Sequence, residues 1–341
     1  MLIHTRIYLC LAITLLVACS SEKCISQTNN PIGMNSQSRK ITGALSGKTI
    51  DLPEVNASSA NSILASQFVL NGEPLTGFAF ETNKPFPDGK SFKRKFGLLI
   101  PATNTSMEYE LWSIIFNNQE SLEGIGLHTS NIYTKKFTIS NEADLESYKN
   151  QFIGGLENAV ENSALAQPEY LILGMSLEHI VYGLKEIREV MNKIESQFPY
   201  SWSTWHDAAD AALKKYKAKR IGLISPFNVK GNENAKKMFV DMGYEVVTSF
   251  GFSCTSLPDI AHIPDSAKEE AILKYIVTPE NKLDAVVQLG TNMSMINVTE
   301  KLESKIGIPI LGINAVTFWY ALRENGFKEP LIKSGRLLKE F

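Results

Sequence analysis

The stretch DAVVQLGTNMS, from Asp284 to Ser294, joins an apolar run to a small polar turn. The run is typical of a buried strand in a parallel sheet, and it stops at Gly290-Thr291-Asn292. Ligands bind at the carboxyl ends of such strands, where glycine lets a ligand approach the backbone and small polar side chains supply donors. The alternative is a tight turn between strand and helix with Asn292 as the cap.

The same pattern occurs twice in the chain. Leu173-Gly174-Met175-Ser176 repeats Leu289-Gly290-Thr291-Asn292, and upstream of each lies a second matched pair, Phe96 to Asn104 and Ile221 to Asn228. Each half therefore runs from a strand ending near Pro and Asn to a strand ending in Leu-Gly and a polar residue. This repetition predicts a duplicated α/β unit with a site between the halves.

Apolar runs of strand length alternate with segments of helical periodicity. The predicted strands are Phe96 to Ile100, Gly124 to Ser130, Tyr170 to Leu173, Ile221 to Ile224, Glu245 to Phe250, Ala285 to Leu289 and Ile308 to Gly312. The predicted helices are one from Ser106, then Asn141 to Asn162, Lys185 to Gln197, Thr204 to Tyr216, Glu233 to Met242, Ser266 to Val277, Val298 to Ile306 and Thr317 to Asn325. Such alternation predicts parallel, doubly wound sheets in the α/β class.

Composition excludes some functions. The chain has 341 residues and a formal charge of −2 with both signs interspersed, so it is long enough for two domains and has no basic patch for nucleic acid. It has neither the glycine-rich nor the Walker motif of a nucleotide site, and no Cys/His cluster or carboxylate cage for a metal. We therefore expect no cofactor and no metal.

Residues 1–24 resemble a secretory signal peptide, because a short apolar run from Ile7 to Ala18 follows Arg6. Leu16-Val17-Ala18-Cys19 also resembles a bacterial lipobox, in which Cys19 would be lipidated. Ordinary cleavage is the alternative. The expectation is an exported, periplasmic protein held at the outer membrane by a lipid anchor only.

Residues 25–93 are rich in Ser, Asn, Gly and Pro and are interpreted as a tether with a partly ordered extension. Within it, Gln67 to Leu70 and Thr76 to Phe80 flank Asn71-Gly72, which favours a hairpin. The first α/β domain is expected to comprise 94–200 together with 311–341, and the second 201–310.

Pro101 to Glu108, PATNTSME, resembles the PSxNTTxE signature of maleate cis-trans isomerases. Arylmalonate decarboxylases are the other similar group, and both belong to the aspartate/glutamate racemase superfamily. The resemblance extends from about Phe96 to Phe327. It implies two flavodoxin-like domains, related by a pseudo-twofold axis, that close on a small mono- or dicarboxylate.

In that superfamily two cysteines face each other across the substrate, and the resemblance places Gly174 and Gly290 at their positions. Anion binding survives this loss, since small donors remain at the matching sites. The substrate-binding candidates are Thr103, Asn104, Gly174, Met175, Ser176, Gly290, Thr291 and Asn292. Backbone N–H groups at Met175 and Thr291 would serve as an oxyanion hole. Asn104 as a helix cap and Ser176 as a turn residue are the structural alternatives.

Acid and base groups must then come from elsewhere. The candidates are Glu178 and His179, which follow the first loop, and His206 at the start of a helix expected to line the cleft. His206, beside two tryptophans, has an ordinary interface role as its alternative. The leading hypothesis is isomerisation or decarboxylation next to a carboxylate, and the rival is a non-catalytic carboxylate-binding lipoprotein. A homo-oligomer is left open.

Overall fold

The computed structural model describes residues 88–135, 142–178 and 180–341, and the backbone of four short strands before them. Strand β1 (Lys40–Thr42) pairs antiparallel with β2 (Thr49–Asp51), and β3 (Val69–Leu70) with β4 (Glu73–Pro74). The hairpin predicted around Asn71-Gly72 is thereby confirmed, with β4 as its second strand. The predicted signal segment and the strand Thr76 to Phe80 lie outside the described residues.

The first half of the chain forms a four-stranded parallel sheet. Its spatial order is β6-β5-β7-β8, with β5 Arg94–Pro101, β6 Ile125–Ile132, β7 Tyr170–Leu173 and β8 Trp202–Ser203. The apolar runs form the strands because both faces of this sheet are covered, and every residue of β7 is buried. Strand β8 was not predicted, because two residues are too few to show the pattern of apolar residues that marks a strand.

The second half repeats this arrangement. The spatial order is β10-β9-β11-β12, with β9 Arg220–Ser225, β10 Glu245–Gly251, β11 Ala285–Gln288 and β12 Ile310–Gly312. In both sheets the strand that comes second in the chain is an edge strand next to the first. The third and fourth strands follow on the opposite side of the first strand. The prediction of a duplicated, doubly wound α/β fold is confirmed. We call the two sheets with their helices the first and second lobes.

The helices cover the sheets at positions close to those predicted. They are α1 Met107–Asn117, α2 Gln119–Leu122, α3 Glu142–Ala164, α4 Gly183–Gln197, α5 Trp205–Lys215, α6 Val229–Asp241, α7 Asp265–Ala271, α8 Ile296–Ile306, α9 Ile313–Glu324 and α10 Arg336–Glu340. A 3-10 turn at Pro258–His262 precedes α7. No described helix is long and apolar enough to cross a membrane.

Three predicted helices differ from those observed. Helix α6 begins at Val229, four residues before the predicted Glu233, where the side chain of Asn228 caps it. The helix predicted to run from Ser266 to Val277 ends its α-helical part at Ala271 and continues as a π-helical turn, because the Val277 N–H bonds to the carbonyl of Ile272 five residues earlier. Helix α9 begins at Ile313, four residues before the predicted Thr317. Its first N–H finds an acceptor in the side chain of Gln288, 3.1 Å away.

The end of the chain returns to the first lobe. Helix α9 packs against α5, and Phe318 makes an edge-to-face ring contact with Phe96 of β5 at 6.1 Å. The Ser203 hydroxyl of β8 donates to the carbonyl of Thr317 at 2.7 Å. The chain thus passes from the first lobe to the second after β8 and returns to the first lobe after β12. The domain boundaries at 200 and 310 stay predictions.

Candidate active site

The two glycine-containing loops follow the third strand of each sheet and meet between the lobes. The backbone N–H of Gly290 donates to the Ser176 hydroxyl at 3.1 Å. In the opposite direction, the Thr291 hydroxyl donates to the carbonyl of Gly174 at 3.0 Å. The carboxyl ends of two separate parallel sheets are therefore joined by direct hydrogen bonds at the place where the sequence predicted a site.

Neither loop has room for the side chain of a cysteine. A Cβ atom on Gly174 would lie 2.5 Å from Cγ2 of Ile100 and 2.6 Å from the sulfur of Met107. Gly290 has a φ of +88°, which strains any other residue, and a Cβ atom there would lie 2.5 Å from Pro226. At both glycines, neighbouring side chains occupy the space that a side chain would need.

Asn104 acts both as a helix cap and as a link between the lobes. Its side-chain oxygen accepts hydrogen bonds from the backbone N–H groups of Ser106 and Met107, each at 3.0 Å, which caps α1. Its amide nitrogen donates to the Thr291 hydroxyl at 2.8 Å. The two roles proposed for Asn104 from the sequence are thus not exclusive, because the cap leaves the amide nitrogen free to cross the interface.

Asn292 fastens the second glycine loop to the loop that follows β5 in the first lobe. Its amide donates to the carbonyls of Thr103 at 3.1 Å and Leu257 at 3.3 Å, and its side-chain oxygen accepts from the N–H of Thr105 at 2.9 Å. The Ser106 hydroxyl adds a bond to the Asn292 carbonyl at 2.9 Å. The side chains expected to bind an anion are therefore brought together, and in this structure they bond to one another and to the neighbouring backbone.

Two backbone donors at the same place are left over. The N–H groups of Met175 and Thr291 have no hydrogen-bond acceptor in the part of the chain that the structure describes. Both residues are buried, with 4% and 6% of their surfaces exposed. Buried N–H groups without an acceptor are rare, and here one comes from each lobe. These are the two groups that the sequence analysis predicted for an oxyanion hole, which stays a prediction.

Glu178 is a buried acid beside these loops. It is 1% exposed, and its Oε1 atom has no hydrogen-bond partner among the described residues. Burial raises the pKa of Glu178 to about 7, against the opposing effects of its own N–H and the Ser176 hydroxyl. A carboxyl group of this kind exchanges a proton near neutral pH. His179, the neighbouring candidate, lies outside the described residues.

His206 is also buried, with 5% of its surface exposed. Its Nε2 atom lies 3.3 Å from a carboxylate oxygen of Asp207 and 3.4 Å from the Thr204 hydroxyl. Burial lowers the pKa of His206, because it disfavours the charged imidazolium. The negative charge of Asp207 acts in the opposite direction but is outweighed, and the positive charge of Arg188 lowers the pKa further. The imidazole is therefore neutral at pH 7.

Glu178 and His206 line one narrow cavity between the lobes. The other lining residues are Leu173, Met175, Leu177, Ile187, Trp205 and Met238. The gap is too narrow for a sphere the size of water. Trp205 was not among the sequence candidates, yet its buried indole N–H has no acceptor among the described residues. The lining therefore offers one N–H donor, one carboxyl and one imidazole, without a lysine or arginine.

A further buried carboxylate connects the lobes away from this cavity. Oε1 of Glu110 in α1 accepts hydrogen bonds from the Ser294 hydroxyl at 2.5 Å and from the N–H groups of Met295 at 2.6 Å and Ile296 at 3.0 Å. These groups form the start of α8, whose N-terminus attracts negative charge. Sequence reasoning missed Glu110, since the signal of a distant cap is absent from its local sequence.

No group of three or more His, Cys, Asp or Glu side chains that could hold a metal ion occurs within residues 88–135, 142–178 and 180–341. The single cysteine in this part of the chain is Cys254, which is half-buried and has no disulfide partner. Burial and the nearby Asp259 raise the pKa of its thiol. Cys254 is therefore poorly suited to act as a thiolate.

Comparison with known proteins finds similarity in structure only. No protein-family model and no curated protein sequence matches the chain. A mutant of the Nocardia farcinica maleate cis-trans isomerase, with a covalently bound succinylcysteine intermediate, superimposes with a TM-score of 0.63 and 18% identity over 73% of this chain and 99% of that one. The maleate isomerase Iso from Pseudomonas putida S16 superimposes with a TM-score of 0.63 and 16% identity, over 72% of this chain and 98% of that one.

A crystal structure of arylmalonate decarboxylase superimposes with a TM-score of 0.56 and 13% identity, over 72% of this chain and all of that one. The topology defines a protein of two duplicated α/β lobes that meet at the ends of their third strands. Its fold is that of the maleate cis-trans isomerases and arylmalonate decarboxylases. The resemblance inferred from the motifs is thereby confirmed at the level of the fold.

Proposed function

We propose that the protein is an enzyme that binds a small carboxylic acid between its lobes and acts at the carbon next to the carboxylate, as an isomerase or decarboxylase without a cysteine pair. The proposal rests on Glu178, a buried carboxyl group whose Oε1 atom has no hydrogen-bond partner among the described residues and whose pKa is raised to about 7. It lines the same cavity as His206, between two lobes whose fold is shared with enzymes of this kind.

Glu178 has the properties of a general acid and base. Near pH 7 its two protonation states are similarly populated, so it can both give and take a proton at the reacting carbon. The neutral imidazole of His206 complements it, because it can accept a proton or donate a hydrogen bond from the second side of the cavity. These two groups would replace the thiols for which Gly174 and Gly290 leave no space.

The substrate carboxylate would bind to neutral donors. The backbone N–H groups of Met175 and Thr291, one on each glycine loop, would supply two of them, and the indole N–H of Trp205 would add a third. Because the side chains of Asn104 and Thr291 are bonded to each other, substrate binding requires the loops to separate first. The hydrogen bonds lost when the loops separate are replaced by hydrogen bonds to the ligand, so the free-energy cost of opening is small.

The second candidate function is binding of a carboxylate without chemistry. It is favoured by the filled space at both glycines, which leaves no room for a catalytic side chain there. In this case Glu178 would only complete the wall of the cavity. The two functions make different predictions for the same ligands.

A panel of maleate, phenylmalonate and amino acids separates them. We expect one class to raise the Tm of the protein and to be converted, as followed by NMR. The matched control is Cys254→Ser, which should keep both effects within a few-fold, since a catalytic thiol would cost on the order of 10²-fold or more. A thermal shift without conversion would select the binding protein, and loss of turnover in the control would restore a thiol mechanism.

We further propose that the protein is exported and anchored by lipid on Cys19, on the basis of the lipobox-like Leu16 to Cys19. Cys19→Ala is expected to leave the precursor unprocessed or mislocalised, because the acyl chains on this cysteine supply the membrane affinity. Fractionation of the expressing bacterium and mass spectrometry of the mature N-terminus measure this. Normal maturation of the variant to a soluble periplasmic form would contradict the anchor but not the export.

A further inference from the structure

A second cavity of about 290 Å³ opens on the first lobe, and neither the carboxyl group of Glu178 nor the imidazole of His206 lines it. It lies between α3, α4 and the segment that follows the first glycine loop. Its inner wall is apolar and consists of Phe152, Ile153, Leu177, Ile180, Val181 and Val190. Four of these residues, Phe152, Leu177, Ile180 and Val181, are at most 3% exposed, so the wall is a firm part of the core.

The rim of this cavity is acidic. Three carboxylates, Glu146, Glu186 and Glu189, surround a single ammonium group, that of Lys149. The Lys149 nitrogen lies 3.4 Å from Glu146 and 3.9 Å from Glu186, so its charge is already balanced by these two partners. Glu189 is paired in turn with the exposed ammonium group of Lys185 at 3.9 Å, so the rim carries one more negative than positive charge above an apolar wall.

The cavity is separate from the proposed active site. Among the residues that the structure describes, Leu177 alone lines both cavities, and Glu178 and His206 line only the cavity of the proposed site. A ligand of the second cavity would thus contact the back of the loop that carries Glu178 and none of the proposed acid and base groups. The inference that follows does not depend on the proposed function.

We propose that this cavity binds a small amphipathic amine, an aryl or alkyl group that carries one ammonium ion. The apolar part fills the space against Phe152 and Val181, and the ammonium group lies among the carboxylates of the rim. The volume is near the lower limit of small-molecule pockets, which fits a ligand the size of phenethylamine. Carboxylic acids, the ligands proposed for the other site, would be repelled by this rim.

The test uses phenethylamine and its charge-reversed counterpart phenylacetate on the whole protein. Binding is followed by NMR of the labelled methyl groups of Ile180, Val181 and Val190, which report on this cavity alone. We expect the amine to shift these signals in a saturable manner and phenylacetate to leave them in place. Unshifted methyl signals with the amine, or equal shifts with phenylacetate, would overturn the proposal.

Charge removal on the rim provides the second arm. The double variant Glu186→Gln/Glu189→Gln should weaken amine binding about three- to tenfold, as expected for two solvent-accessible charge interactions. Both side chains are about half exposed or more, so the fold should tolerate the change. Glu270→Gln, which removes an exposed carboxylate from the second lobe, is the matched control. An equal affinity of the double variant and this control would contradict the assigned site.

Discussion

Replacing Glu178 by glutamine is expected to stop turnover and to stabilise the protein at alkaline pH. The loss of activity should be at least about 10²-fold, the contribution of a positioned acid and base. The gain in stability follows from the pKa of Glu178, which is about 7 in the folded protein and 4.5 in an exposed glutamate. An active-site residue whose removal stabilises the fold is costly to keep, and such a cost indicates a function.

The sign of the pH dependence is fixed by this raised pKa. Between pH 4.5 and 7 the folded state holds the proton of Glu178 and the unfolded state has released it, so the free energy of unfolding falls as the pH rises. The stability contribution is complete below pH 4.5 and is lost as the pH passes 7. Glutamine has no proton to lose, so the variant should gain up to about 3 kcal/mol relative to wild type at pH 8 and little at pH 5.

Thermal unfolding between pH 5 and 8, together with the NMR assay of turnover, measures both effects. Glu303→Gln is the control, because burial also raises the pKa of Glu303 to about 7, yet this residue lies away from the cavity. Its carboxylate accepts the N–H groups of Ile310 and Arg336. The control should change the pH dependence of Tm and keep turnover. Full activity in Glu178→Gln would exclude its catalytic role, and an unchanged pH profile would exclude its buried, protonated state.

The largest loss of stability is expected for Glu110→Ala. This change leaves two N–H groups and one hydroxyl at the start of α8 without their acceptor, and it removes a contact between the lobes. Since Glu110 is 2% exposed, water does not replace the carboxylate readily. We expect a loss of about 3 to 5 kcal/mol in the free energy of unfolding, within the range for a buried, hydrogen-bonded charge.

Urea denaturation at pH 7 measures this loss. Glu108→Ala, in the same turn of α1 but partly exposed, removes an equal charge and should cost less than about 1 kcal/mol. Glu110→Gln should fall between the two, because the amide oxygen still accepts a hydrogen bond but lacks the charge. If Glu110→Ala were as stable as Glu108→Ala, the carboxylate would not hold the lobes together.

The sequence alone determined the fold class and which two loops meet between the lobes. Buried parallel strands are apolar throughout, and a strand that ends in glycine and a polar residue is visible within a few positions. The stretch from Asp284 to Ser294 and its repeat at Glu169 to Ser176 therefore predicted two equivalent sheets. The same local signals placed Asn104, Gly174, Gly290 and Thr291 in loops that meet.

Tertiary structure decided what these residues bond to. Asn104 and Thr291 are 187 positions apart and Glu110 and Met295 are 185 apart, so no local pattern relates them. The packing of the two lobes is what uses the amide of Asn104. Within the first lobe, the packing of β5 and α1 around β7 fills the space beside Gly174, and Glu178 is removed from water. A side chain's propensities are set by its own chemistry, whereas its pKa and its partners are set by the atoms that the rest of the fold places around it.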